Sequence, residues 1–287
     1  MKSYNAIDMK GRLYDYNLEA RDTDKGEVIV GTVTLEVDEK GTQATIRFYA
    51  RPKYNSGKTN RTYTVLDEIM AGNYKTVVTH GEDADWLGAT GNIDVSYFIG
   101  REGAKTPEEM NSGMQLRGGF LNANNKKEYA NKWKLDLLIT GVTEVEADPE
   151  RGFDRYARVN GYCVDSYNER VMNVAFDART DAAINYVLGL TCSAKEPVFF
   201  PAWGCLLKVG TRRVQKNVFG DGGDDVVESE RTRWVLTGLG EQYNFGDEAD
   251  MSVEDYETYR KNLADHKAER FAAQNEDAED SSPDLAF

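Results

Sequence analysis

Thr32-Val33-Thr34-Leu35-Glu36-Val37, then Asp38-Glu39-Lys40-Gly41, then Ala44-Thr45-Ile46-Arg47-Phe48-Tyr49-Ala50-Arg51: apolar and polar residues alternate, halt at a turn, and alternate again. A period of two sends successive side chains to opposite faces of a strand. Asp and Gly between the two runs are turn formers. The passage therefore predicts a hairpin with one buried face, formed by Val33, Leu35, Val37, Ile46 and Phe48. The other face of its second arm carries Thr45, Arg47, Tyr49 and Arg51, so two guanidiniums and an aromatic ring share one outward surface.

The same period recurs outward from this hairpin. A short helix is expected over Val65 to Met70 with Gly72 ending it, followed by strands near Tyr74 to Thr79 and Ile93 to Ile99. Further on, Trp133, Leu135, Leu137 and Ile139 alternate with Lys134 and Asp136. After turn residues Asp148, Pro149 and Gly152 comes a strand from Arg155 to Val164, with Ala157, Val159 and Cys163 on one face and Tyr156, Arg158, Asn160 and Tyr162 on the other. Met172, Val174 and Phe176 predict a third strand, Asp181 to Leu188 a helix, and Cys205 to Val209 and Arg233 to Leu236 two more strands. Three strands, a helix, then two strands is the element order of the OB-fold, a five-stranded Greek-key barrel. The sequence shows that order twice.

The expected fold is thus mainly β, with two tandem OB-fold domains at residues 1–116 and 133–246. Residues 117–132, rich in glycine, asparagine and lysine, are expected to link them. Ser252 followed by Glu254 and Asp255 caps a helix expected within 247–271. Residues 272–287 are expected to be a disordered acidic tail, being nearly devoid of apolar content before Leu285.

Charge is unevenly spread. The net formal charge is -14, but 13 of the 49 acids and 4 of the 35 bases lie from Asp247 onward, leaving only -5 for everything before. Two basic stretches contain no acid. The first holds Arg47, Tyr49, Arg51, Lys53, Tyr54, Lys58, Arg61 and Tyr63; the second holds Lys208, Arg212, Arg213 and Lys216. Cations spaced to follow phosphates, interleaved with flat rings on which bases stack, are what a strand-indifferent binder of single strands needs. Pro52 to Asn60 reads as a flexible loop able to close over such a strand. In the second domain Tyr156 and Arg158 share an outward face, and Lys208 to Lys216 lead into an acidic turn, Gly220-Asp221-Gly222-Gly223-Asp224-Asp225, that reads as the tip of a long hairpin walling the same kind of groove.

The chain ends Glu276, Asp277, Glu279, Asp280, then Ser281-Ser282-Pro283-Asp284-Leu285-Ala286-Phe287, with no basic residue after Arg270. An acidic tail closing on a short apolar tip and a phenylalanine carboxylate resembles the C-terminus of bacterial and phage single-stranded DNA-binding proteins. Near the other end, Lys10-Gly11-Arg12-Leu13, a charged stretch to Lys25-Gly26, and a Val- and Thr-rich strand resemble the first hairpin of an OB domain of that family. The resemblance implies a groove on the outer face of the second and third strands. It also implies a tail that mimics DNA and competes for that groove, and that Asp284, Leu285, Ala286 and Phe287 are presented to proteins of replication and recombination. The tandem plan and compact size point to a phage or mobile element, and the absence of a membrane-length apolar run together with three unpaired cysteines leads one to expect work in a cell's cytoplasm.

Other chemistries find little footing. His80 and His266 are the only histidines, and no Ser-His-Asp or Cys-His arrangement accompanies them. No phosphate-binding G-x-x-x-x-G-K-[ST] loop occurs. Asp83 and Asp85 lack a third ligand, and the acidic turn at 220–225 does not follow the alternating ligands and closing glutamate of a calcium loop. Cys163, Cys192 and Cys205 are odd in number, lack C-x-x-C spacing and sit among apolar neighbours, as buried free thiols do. No cofactor, metal or catalytic residue is expected, no apolar run approaches the roughly 18 residues of a membrane span, and no signal peptide opens the chain. Two other readings remain: a β-rich virion or assembly protein, which predicts a stable oligomer indifferent to oligonucleotides, and an OB-fold adaptor that binds protein.

Overall fold

The hairpin at 32–51 is present, and it is the second of many. A computed structural model describes residues 2–101, 103–150, 152, 154–215 and 225–280. Within them the first half holds β1 (Asn5–Thr23), β2 (Gly26–Glu36), β3 (Gln43–Ala50), helix α1 (Arg61–Met70), the single turn α2 (Val77–His80), β4 (Trp86–Phe98) and β5 (Asn111–Ala123). The second half holds β6 (Ala130–Val145), β7 (Tyr156–Asp165), β8 (Arg170–Ala178), α3 (Asp181–Leu188), β9 (Val198–Gln215), β10 (Asp225–Leu239) and the long helix α4 (Val253–Asp280).

Hydrogen bonding closes each half on itself. β1 pairs antiparallel with β2 and β4, β2 with β3 and β4 with β5, while β3 meets β5 in parallel at Ile46–Leu116 and Arg47–Arg117. The ring β1-β2-β3-β5-β4-β1 is a closed barrel, which removes its edges. The second ring, β6-β7-β8-β10-β9-β6, repeats the order, its parallel contact falling at Val235–Asp177. The two rings are not beads on a string. β1 and β6 pair antiparallel from Asn5–Leu135 to Lys10–Ala130, so all ten strands among the described residues belong to one sheet.

Alternation fills both barrels. Along β3 every second residue is buried, from Ala44 to Ala50, and Ile46 and Phe48 share one buried cluster with Met9, Leu35, Leu66, Ile69 and Ile93. In the second, Trp133 stacks on Phe176 with ring centroids 4.3 Å apart and donates its indole N–H to the Cys205 carbonyl at 3.2 Å. Buried rings of this size dominate core energetics, and the partnered N–H removes the polar penalty. α1 begins at Arg61 because the Asn60 carboxamide accepts the Thr62 N–H at 3.1 Å, and its Leu66 and Ile69 plug the barrel. α3 spans the expected residues, capped by the Thr180 hydroxyl, which accepts the Ala183 N–H at 3.3 Å.

Three local expectations fail. Tyr74 to Thr79 is not a strand: the Thr76 hydroxyl accepts the Thr79 N–H at 3.2 Å and caps the turn α2, and the closed ring offers no further edge to pair with. Residues 117–123 are not connector but the end of β5, and 130–132 open β6, so only residues 124–129 lie between the strands. Gly118, read as a linker residue, is there for packing, since a Cβ at that position would lie 2.1 Å from the Phe48 ring. Lastly, α4 runs past Phe271 to Asp280 rather than giving way to a tail at 272. Ala272 and Ala273 favour helix. The Gln274 carboxamide also docks on the end of β4, donating to the Tyr97 carbonyl at 3.0 Å and accepting the Ile99 N–H at 2.9 Å. Residues 281–287, with the expected partner-binding Asp284, Leu285, Ala286 and Phe287, lie outside the described residues.

Candidate nucleic-acid interface

On the outer face of β3, Arg47 and Tyr49 stand exposed while Ile46, Phe48 and Ala50 point inward. Strand pairing puts Arg117 of β5 beside Arg47, also exposed. With Val30, Asp94 and Gln115 these residues line a shallow groove of about 220 Å³. Neither guanidinium has an ion pair among the described residues, whereas Asp94 already accepts the Gln115 amide at 3.3 Å and the Val95 N–H at 2.9 Å. Like charges side by side on neighbouring strands repel. An anion placed between Arg47 and Arg117 would relieve that repulsion.

Beyond the end of β3 the Arg51 guanidinium lies 5.8 Å from the Tyr49 ring centroid, within cation–π range, and its Nε is buried without a hydrogen-bond partner among the described residues. The segment after it is not the loose loop expected. Lys53 bridges to Thr59, the Tyr54 N–H donates to the Lys58 carbonyl at 2.9 Å, and Gly57 takes a left-handed turn at φ 79°. The result is a small bonded hairpin presenting Lys53, Tyr54 and Lys58, all exposed. Arg61 is exposed at the start of α1. Tyr63 is half-buried, and its hydroxyl donates to Glu27, which with burial pushes the phenol's pKa up to about 12. That phenol is committed to β2.

Three candidates of the second barrel, Tyr156, Arg158 and Lys208, already have partners. Arg158 donates to Asp177 at 2.7 Å, directly across the β7–β8 pair, and Asp177 is only 1 % exposed. The Tyr156 ring lies under the Arg179 guanidinium at 5.3 Å. Lys208 pairs with Glu230 at 2.6 Å. Arg212 and Arg213 occupy the far part of β9, opposite Glu228 and Val227 of β10. Lys216 and most of the acidic turn, residues 216–224, lie outside the described residues. Among the described residues no three His, Cys, Asp or Glu gather where a metal could sit, and no helix is long and apolar enough to cross a membrane.

Among the described side chains, the cations and rings that the structure unites without an ion pair are therefore Arg47, Tyr49 and Arg51, continued by Lys53, Tyr54 and Lys58 and widened by Arg117. Arg117 was hidden from sequence reading because Gly118-Gly119 mimics a linker. The signal that could have found it is the alternation Met114, Leu116 against Gln115, Arg117, which continues a strand up to those glycines.

Two rings closed in the same strand order, with a helix after the third strand of each, define a mainly β barrel protein. The chain is similar in fold to two solved structures of the single-stranded DNA-binding protein from Thermus aquaticus, one wild type and one a deletion variant. Each is 13 % identical at a TM-score of 0.50; the match covers 85 % of this chain and 95 % and 96 % of theirs respectively. The chain belongs to the YorF family, whose model matches residues 3–264. No curated protein sequence matches it.

Proposed function

We propose that the protein is a non-enzymatic binder of single-stranded DNA, built from two OB-fold barrels, that coats exposed strands during replication or recombination without strong sequence preference. The observation carrying this reading is the outer face of β3 and β5. Among the described residues Arg47 and Arg117 stand side by side without an ion pair, and Tyr49 is exposed next to them. A phosphate between the guanidiniums and a base on Tyr49 use both features at once, and neither depends on base identity. The fold likeness to a single-stranded DNA-binding protein supports the choice of ligand. In this reading the acidic end of the chain, from Glu276, competes for the groove when DNA is absent and recruits replication and recombination proteins through Phe287 when displaced. The setting is a cell's cytoplasm, during phage or mobile-element DNA metabolism.

The test is a fluorescence-anisotropy titration of the full chain with labelled dT oligonucleotide, single-stranded and in duplex, at two salt concentrations. Binding to the single strand alone, weakening as salt rises, is the expected result. Absence of binding at low salt, including for a chain truncated after Asn275, would discard the reading. That outcome would favour an assembly protein or a protein-binding adaptor.

A further inference from the structure

A second surface lies where the two barrels fuse. Around the β1–β6 seam is a cleft of about 1050 Å³, lined by residues of both rings. Its rim carries three exposed aromatic side chains from three places in the chain: Tyr4 at 53 % exposure, Phe120 at 56 % and Trp203 at 40 %. Exposed rings cost hydrophobic free energy unless something covers them. Here they share a single opening with Lys10, Lys132 and Lys134.

The backbone departs from regularity to set these rings outward. Along β5 the alternation that points Gln115 and Arg117 out would bury residue 120. A bulge opposite Thr90–Gly91 inserts Gly119, reverses the phase, and turns Phe120 outward with Leu121 buried. The bulge is possible because residue 91 is glycine: a Cβ there would lie 1.9 Å from the Arg117 carbonyl oxygen. On the other wall, β10 slips register between Leu236 and Gly238, and a Cβ on Gly238 would lie 2.4 Å from the Trp203 indole. Trp203 can lie along β10 only because that residue has no side chain. Bulges that re-aim a side chain are characteristic of functional sites.

The charges fit the rings. Lys134 lies over the Tyr4 ring at 5.5 Å, and Lys10 makes only a loose contact with Asp8 at 3.8 Å. Lys132 has no carboxylate partner among the described residues. Three ammonium groups against one carboxylate leave the cleft positive in a protein of net charge -14. A flat, apolar group attached to an anion matches this arrangement, and an unpaired nucleotide is such a group.

We infer that the seam cleft is a second binding site for the same single strand, with Phe120 and Trp203 stacking on unpaired bases and Lys10, Lys132 and Lys134 holding the flanking phosphates. The inference rests on the proposed function and extends it from one barrel face to the junction. Arg117 and Phe120 are three residues apart on β5, so a strand leaving the Arg47–Arg117 groove reaches the cleft along one strand of the sheet.

The test compares dT titrations of five full-length proteins: wild type, Phe120→Ala/Trp203→Ala, Trp203→Phe, Lys132→Gln/Lys134→Gln, and Arg47→Gln/Arg117→Gln. Stacking on one ring is worth about 5- to 150-fold in affinity, so the aromatic double variant is expected to weaken long-oligonucleotide binding at least tenfold. Each lysine removed should lower the logarithmic salt slope by about 0.7. Trp203→Phe, which keeps a ring, should retain most of the affinity while losing the DNA-induced quenching of tryptophan fluorescence. Thermal melts identify any variant that fails to fold, and photo-crosslinking of iododeoxyuridine DNA to the wild type should place adducts at Phe120 or Trp203. Unchanged affinity in the cleft variants, with loss in the Arg47/Arg117 variant, would overturn this inference and leave the proposed function standing. A wild type that binds no single strand would overturn both.

Discussion

Replacing Arg158 separates a structural cation from a ligand-binding one. Sequence places it with Tyr156 on an outward strand face, yet its guanidinium donates to Asp177 at 2.7 Å, and Asp177 is 1 % exposed. Arg158→Met leaves that carboxylate buried without its partner. Breaking a fully buried pair costs about 3–5 kcal/mol. The Arg158 side chain is itself 35 % exposed, so water can approach, and a cost of about 2 kcal/mol is the better expectation. With an unfolding entropy of about 2.1 cal/mol/K per residue, a chain of this length melting as one unit should lose about 3–4 °C in Tm. Asp177→Asn in the same chain should restore much of the loss, because removing both charges leaves nothing buried and unpaired. Calorimetry reads the stability change, and dT anisotropy should show affinity altered less than twofold. An Arg158→Met protein with unchanged Tm and strongly weakened DNA binding would refute this reasoning and return the residue to the binding surface.

Arg47→Gln/Arg117→Gln should reduce the slope of log affinity against log salt by about 1.4, at two phosphate contacts of about 0.7 each for a single strand, while leaving Tm unchanged or slightly raised because the two charges repel; a titration series in KCl with melts alongside checks it. Gln274→Ala removes the two hydrogen bonds that Gln274 makes to the end of β4, and hydrogen exchange should speed up over residues 268–276 with little change in global stability. Tyr97 is buried between the barrels and bonded to Asn173, and burial raises its phenol to about 12. The folded state thus holds this proton more tightly than the unfolded chain, whose phenol titrates near about 10. Stability should be level below that value and fall as pH rises from about 10 toward 12. Urea unfolding between pH 8 and 11 reads this, and Tyr97→Phe should flatten part of the decline.

Most of the barrel was legible in sequence because a period of two survives wherever one strand face is buried: β3 and β7 show it plainly, and β8 shows it from Met172 to Phe176. β1 was harder, since its outer half from Asp15 to Thr23 pairs only with β2 and buries no full face, leaving charged residues where a pattern would be read. The candidate site was half legible. Arg47 and Tyr49 follow from alternation within one strand. Arg117 does not, because its place beside Arg47 depends on a parallel contact between strands about seventy residues apart. Arg158 looked free because nothing local reveals that Asp177 will stand opposite it and be buried. Phe120 escaped because a bulge breaks the period that would have assigned its face. In each case a pairing across the fold decided the side chain's role.

The hydrogen-bonded seam between β1 and β6 has a mechanical meaning. Tandem modules joined by a loose tether must be aligned anew by every ligand, and the entropy of that alignment is subtracted from the affinity. Here six consecutive register pairs, from Asn5–Leu135 to Lys10–Ala130, fix the distance and angle between the halves before any ligand arrives. The molecule behaves as a ruler rather than a clasp. Under the proposed function, a strand crossing both halves bends to suit the protein, so the length occluded per molecule should stay at a value set by the fold instead of varying smoothly with conditions.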